Sequence, residues 1–211
     1  MKLIVFGPTG GTGGQIVRQA LAAGHSVVAI ARKPEAVSLN HSRLVVVAGD
    51  VLDPAWCGEG IGGADAVLSV LGARALGQPT HIYSDGTAAI LAAMGKAGVR
   101  RFIGVTATPV GPANLKSPFD RWVVHPILQR FFGGAYDDMR RMEAVLLASE
   151  LDWTVFRPPR LTNRTPTGRY RTAVDRRLAR AWVVPRSDLA AAMLAVVNDR
   201  KLIRRAITIA T

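Results

Sequence analysis

The apolar run Leu3-Ile4-Val5-Phe6 leads straight into Gly7-Pro8-Thr9-Gly10-Gly11-Thr12-Gly13, and this junction constrains the fold more than any other part of the chain. A short apolar run followed by clustered glycines reads as a buried strand turning sharply into a helix. In such a turn the first glycine permits the bend, the middle region lets backbone N–H groups approach a ligand, and the last glycine allows close packing of helix on strand. The helix N-terminus adds partial positive charge, so Gly7, Gly10, Gly11 and Gly13, with the hydroxyls of Thr9 and Thr12, form a cradle suited to a dinucleotide pyrophosphate.

Further strand-length apolar runs follow at Ser26 to Ala31, Leu44 to Ala48, Ala66 to Leu71, Phe102 to Thr106 and Trp153 to Arg157. Helical patterns sit between them at Gly14 to Ala23, Tyr83 to Ala97 and Asp137 to Ser149. Because the runs carry few polar residues, both faces of the sheet must be covered, which predicts an α/β, doubly wound parallel sheet of the Rossmann type. At 211 residues, with 49% hydrophobic and only 6% aromatic residues, one domain is expected over 1–211. Within it, 1–157 reads as a cofactor core and 158–211 as a variable, substrate-facing extension ending in a helix at Ser187 to Asn198 and a strand at Ala206 to Ala210. Pro109 to Gly134, with four prolines, reads as a lid or flap. No leader pattern precedes the first strand and no apolar stretch reaches membrane-spanning length, so a soluble, cytoplasmic protein without a membrane partner is expected. Cys57 stands alone, and His25, His41, His81 and His125 form no ligand spacing, so no metal is expected.

Net charge is +12, and nine arginines against the single acid Asp175 lie between Arg157 and Arg186. Such a surface favours anions: a phosphorylated cofactor, an acidic substrate or, as a minor alternative without any recognised module, nucleic acid. A solvated basic face is the plain alternative. The second strand ends in Ala31-Arg32-Lys33, where a site for unphosphorylated ribose would carry an acid. Arg32 can fork onto a 2′-phosphate and Lys33 adds a point charge, which favours NADPH over NADH. Asp50, with Val51 beside it, ends the third strand within reach of an adenine amino group. Leu71, Gly72, Ala73 and Arg74 end the fourth, where small residues allow the cofactor to pass.

With these pieces placed, the chain resembles the atypical short-chain dehydrogenases of the NmrA-like group, and within them the biliverdin reductase B or flavin reductase family. The carriers are the glycine loop, Ala31-Arg32, Gly49-Asp50-Val51-Leu52, Val70-Leu71-Gly72, Arg101 to Thr106, Asp137 to Glu143, and Leu151-Asp152-Trp153-Thr154-Val155-Phe156-Arg157-Pro158-Pro159. The resemblance implies NADP(H), with Thr106 and Pro158 near the nicotinamide and hydride passed to a planar acceptor such as a flavin. It also exposes three departures. Ala107 stands where the reductases have serine, Met139 where they have histidine after Asp-Asp, and Arg160 where a second histidine follows Pro-Pro.

Short-chain dehydrogenases generally use Tyr-x-x-x-Lys, the lysine lowering the tyrosine pKa for proton transfer. Here Tyr136 is followed by Arg140, and Thr108 is a further hydroxyl near the fifth strand, so these two are the catalytic candidates. Arg160 is the candidate for an anionic substrate. Two readings follow: an NADPH-dependent reductase of a planar or carbonyl-containing, anionic small molecule, or a non-catalytic NADPH-sensing regulator of the NmrA type. Oligomeric state stays open.

Overall fold

The computed structural model describes residues 1–73, 78–111, 125–176 and 178–211. Strand β1 (Lys2–Phe6) is followed by helix α1 (Gly11–Ala22), β2 (Ser26–Ala31), β3 (Leu44–Ala48), β4 (Ala66–Ser69), α2 (Ser84–Lys96) and β5 (Arg101–Val105). Then come α3 (His125–Ala148), β6 (Asp152–Arg157), β7 (Arg160–Thr162), β8 (Arg171–Val174), β9 (Val183–Pro185), α4 (Arg186–Ala195) and β10 (Arg205–Ala210). Eight strands form one sheet in the order β3-β2-β1-β4-β5-β6-β10-β8, and β7 and β9 pair in a small second sheet.

Every neighbour pair of the large sheet is parallel except β10–β8. The expected doubly wound sheet is therefore present, with an antiparallel edge added. Alternation along each strand divides the core in two. From β1, Ile4 and Phe6 join Ile90 and Met94 of α2 and Met142 and Leu146 of α3, while Leu3 and Val5 join Ile16 and Val17 of α1 and Leu189 and Met193 of α4. Leu3, Ile4 and Val5 are each 0% exposed, so β1 is buried on both faces, and each such side chain contributes roughly 1.5–3 kcal/mol. Sheet order reverses between β1 and β4, and ligands of open α/β sheets bind at the carboxyl edge of such a switch point.

Two expectations are corrected. Helix α3 begins at His125 rather than Asp137, so the flap read over Pro109 to Gly134 is helical in its last part. Pro126 falls in the first turn, where its missing N–H has no intrahelical partner to lose. Gly134, inside this helix, marks a close approach, since a Cβ there would lie 2.2 Å from the Gln78 carbonyl oxygen. Residues 112–124 of the expected flap lie outside the described residues. Second, β7 and β8 arise in a stretch read as irregular. Only Ala173 of the four β8 residues is buried, which leaves no periodic apolar signal. The stretch from 158 onward also builds the core, because β10 extends the sheet beside β6 and α4 packs on α1.

Arg101 shows how a charge is accommodated inside. It is 9% exposed, and its guanidinium donates to the carbonyls of Val196, Val197 and Asp152 and to Thr154 Oγ1, tying β5 to the end of α4. Burial pulls its pKa down, opposed by Asp152 and Asp199. Arg101→Leu would leave those acceptors unpaired in the interior, so we expect it to lower unfolding free energy by about 2–4 kcal/mol, read as a shift in the urea midpoint.

Candidate cofactor-binding site

The glycine loop closes at the switch point because atoms leave no alternative. Gly7 has φ +76°, and a Cβ there would lie 2.6 Å from the Val70 carbonyl oxygen of the β4 segment. A Cβ on Gly13 would lie 2.0 Å from the carbonyl oxygen of Gly7 itself. Gly10 is the extended N-cap of α1, donates its N–H to Gly7 O at 3.1 Å, and carries no side chain to satisfy the first turn. The N-terminal N–H groups of α1 thus remain available to an anion.

Beside this loop lies a cleft of about 200 Å³. Of the residues expected at a cofactor, Gly7, Thr9, Gly10, Arg32, Asp50, Val51, Leu71 and Gly72 line it together. Gly11, Thr12 and Gly13 follow in the first turn of α1, Thr12 and Gly13 buried. Lys33 is exposed one residue beyond Arg32, and Ala73 follows Gly72 with its N–H donated to Tyr83 Oη at 3.2 Å. Arg74 lies outside the described residues. Arg32 is exposed at the rim and makes no ion pair among the described residues. Asp50 turns one oxygen, Oδ1, to the N–H of Leu52 at 3.1 Å, and Asp53 accepts from Ala55 N in a second turn of the same kind. Ile30 and Ile82 supply apolar walls.

The expected nicotinamide end is built differently from a Tyr-Lys site. Thr106, 3% exposed, donates its hydroxyl to Glu143 Oε1 at 2.8 Å, and Glu143 is held by Arg157 through bonds of 2.9 and 2.6 Å. Thr108 donates its hydroxyl to the Arg157 carbonyl and its N–H to the buried Pro158 carbonyl, both at 2.9 Å. None of these residues lines the cleft described above. Ala107 packs against the core and Met139 is 9% exposed within it, so two of the three departures from the family's polar residues are packing positions. Arg160 begins β7, exposed. Tyr136 is partly buried against Phe132, and Arg140 hydrogen-bonds Asp137 and Gln129. Burial, then the nearby Tyr83, pushes the Tyr136 phenol above its ordinary 10.0, opposite to the shift an activated proton donor needs.

Sequence reasoning missed the Glu143–Arg157 pair and the role of Asp138. Asp138 is 0% exposed and accepts from the N–H groups of Tyr83 and Ser84 and from Ser84 Oγ, while Arg141 donates to it at 3.2 Å. It therefore caps α2 from α3 and fixes the Ile82–Tyr83 wall of the cleft. Its only sequence signal was an Asp-Asp pair, and nothing local tells which acid turns inward.

These features define a dinucleotide-binding α/β domain. The chain belongs to the NAD(P)H-binding family, whose pattern it matches over residues 7–200. Among curated proteins it is 33% identical over 106 residues to the photosystem II assembly factor Ycf39 of Synechocystis, covering 49% of this chain and 32% of that one. It is 29% identical over 177 residues to a chloroplastic protein of Arabidopsis thaliana, At2g34460, covering 79% of this chain and 61% of that one. The chain thus spans between a third and three fifths of the length of these relatives. Among solved structures, a candidate exported protein of Burkholderia pseudomallei superposes with TM-score 0.81 at 27% identity, covering 100% of both chains. A wide-type short-chain dehydrogenase/reductase of Veillonella parvula in complex with NADP gives 0.76 at 19% identity, over 100% of this chain and 94% of that one, a likeness of fold. No helix among the described residues is long and apolar enough to cross a membrane, and those residues contain no cluster suited to a metal.

Gly13→Ala should destabilise the fold by at least roughly 2 kcal/mol in denaturant titration, because the carbonyl it meets is backbone and cannot swing away. A raised phenol pKa favours the folded state below pH 10 and withdraws that contribution as pH climbs through the higher folded value. Tyr136→Phe is accordingly expected to flatten the fall in unfolding midpoint above pH 10 relative to the parent, a comparison made by denaturation across a pH series.

Proposed function

We propose that the protein is an NADPH-dependent reductase acting on a planar or carbonyl-containing, anionic small molecule, of the kind the biliverdin reductase B and flavin reductase resemblance implies. The observation that carries the cofactor choice is Arg32, exposed at the cleft rim with no acidic partner among the described residues, at the end of β2 where an acid would otherwise meet the ribose. In this reading the α1 N–H groups hold the pyrophosphate and the Arg32 guanidinium grips the 2′-phosphate. Ile30 and Val51 flank the adenine, and Asp50 keeps Oδ2 for its amino group. The bound dinucleotide supplies a hydride donor.

Among the described residues the candidate acids beside that donor are not primed: the hydroxyls of Thr106 and Thr108 are already donated, and burial raises the pKa of the Tyr136 phenol. A flavin or quinone acceptor suits such a site, since solvent can protonate the product. Arg160, at the exposed start of β7, draws the acceptor's negative charge. The committed hydroxyls equally favour a second reading, an NADPH sensor that binds without turnover.

The test measures NADPH and NADH affinity by fluorescence titration, and NADPH oxidation with flavins, quinones and carbonyl compounds. NADPH should bind at least ten times more tightly than NADH, and Arg32→Ala should weaken NADPH about ten-fold while leaving NADH within two-fold, as for loss of one charged hydrogen bond. Equal affinities would overturn the cofactor choice. Tight binding with no turnover on any acceptor would transfer the conclusion to the sensor.

A further inference from the structure

The motif G-x-x-G-x-x-G accounts for Gly7, Gly10 and Gly13 but not for Gly11, which occupies the first turn of α1 with no positive φ. Glycine in a helix is destabilising by roughly 1 kcal/mol relative to alanine, so its presence there needs a reason. The reason lies across the α1–α4 contact. A Cβ on Gly11 would sit 2.7 Å from Cδ and 3.0 Å from Nε of Arg186, so the arginine side chain occupies the space that any other residue would fill.

Arg186 is held there. Parallel pairing of β7 with β9 matches Thr162 to Pro185, so the next residues, Asn163 and Arg186, emerge side by side. Arg186 Nη1 donates to Asn163 Oδ1 at 2.8 Å. Arg186 makes no ion pair among the described residues, and its one described side-chain bond is to a neutral amide. The nearby acid Asp188, 2% exposed, accepts instead from Thr167 and from Gly168 N. One residue into α4, Ser187 is 7% exposed and its Oγ has no hydrogen-bond partner among the described residues. The contrast with Arg101, whose donors are consumed by carbonyls and a hydroxyl, is direct. A partly buried guanidinium with spare fork donors, lying on an uncapped helix N-terminus, is arranged to receive a further anion.

Resting on the cofactor reading above, we propose that Arg186, positioned by Asn163 and admitted by Gly11, is the cation that binds the dinucleotide pyrophosphate from the α4 side. The small β7–β9 sheet is then the mount that carries this cation to the glycine loop. The pyrophosphate is bracketed by backbone N–H groups of α1 on one side and a side-chain fork on the other.

The experiment titrates wild type, Arg186→Gln, Arg186→Lys and Gly11→Ala with NADPH and with adenosine 2′-monophosphate, which keeps the adenosine phosphate but lacks the pyrophosphate. Calorimetry supplies affinities at two salt concentrations, and thermal melting checks the fold. Arg186→Gln should weaken NADPH about ten-fold or more, shift adenosine 2′-monophosphate less than two-fold and reduce the salt dependence of NADPH binding. Arg186→Lys should fall between, keeping charge but losing the fork, and Gly11→Ala should weaken NADPH by displacing the guanidinium. Unchanged NADPH affinity in Arg186→Gln, or equal losses for both ligands, would overturn the assignment while the cofactor reading stands. Failure of the wild type to bind NADPH would overturn both.

Discussion

The Cβ-free contact between Gly13 and the carbonyl of Gly7 fixes where α1 starts, and most of the molecule follows from it. Only with both glycines can α1 leave β1 at once and lie against Val5 and Leu3 on one face of the sheet. Gly7 in turn admits the Val70 carbonyl, which holds β4 beside β1 and creates the switch point where the cleft opens. A methyl group at either position would collide with backbone, which has nowhere to move. The loop is thus a packing solution as well as the anion cradle proposed above, and the two uses cannot be separated by mutation of the glycines alone.

Around this fixed centre, charges are treated in two ways. Arg101, Asp138 and Asp188 are buried and bonded by the fold itself: carbonyls at the end of α4, N–H groups at the start of α2, and the 167–168 turn. Such groups order elements relative to one another. Arg32, Arg160 and Arg186 keep donors that the described fold does not use. The excess of positive charge noted in the sequence therefore divides into structural and receptive arginines, a distinction that composition cannot make.

The polar groups beyond the end of β5 show the same logic reversed. Thr106, Thr108, Glu143 and Arg157 form a closed network joining β5, α3 and β6, while Ala107 and Met139 pack into the core. Polar residues are present, but they hold one another. That arrangement ties β5, α3 and β6 to one another at this end of the sheet.

By itself the sequence determined the doubly wound sheet and the strand-to-helix turn at the glycine loop, because a strand buried on both faces and a glycine-bounded turn are local signals of period and backbone conformation. It also carried membership of the NAD(P)H-binding family. It could not show that α3 starts at His125, since the prolines of the expected flap masked the helix, and Gly134 is explained only by the backbone at Gln78. Nor could it show β8, where one inward residue in four leaves no pattern. Asp138, Glu143 and Arg186 were indistinguishable from surface charges, because their partners lie far away in the chain: 54 and 55 residues for Asp138 and 37 for Glu143 with Thr106. Which charges are consumed and which are left for a ligand depends on distances between elements, and those exist only once the sheet has brought the elements together.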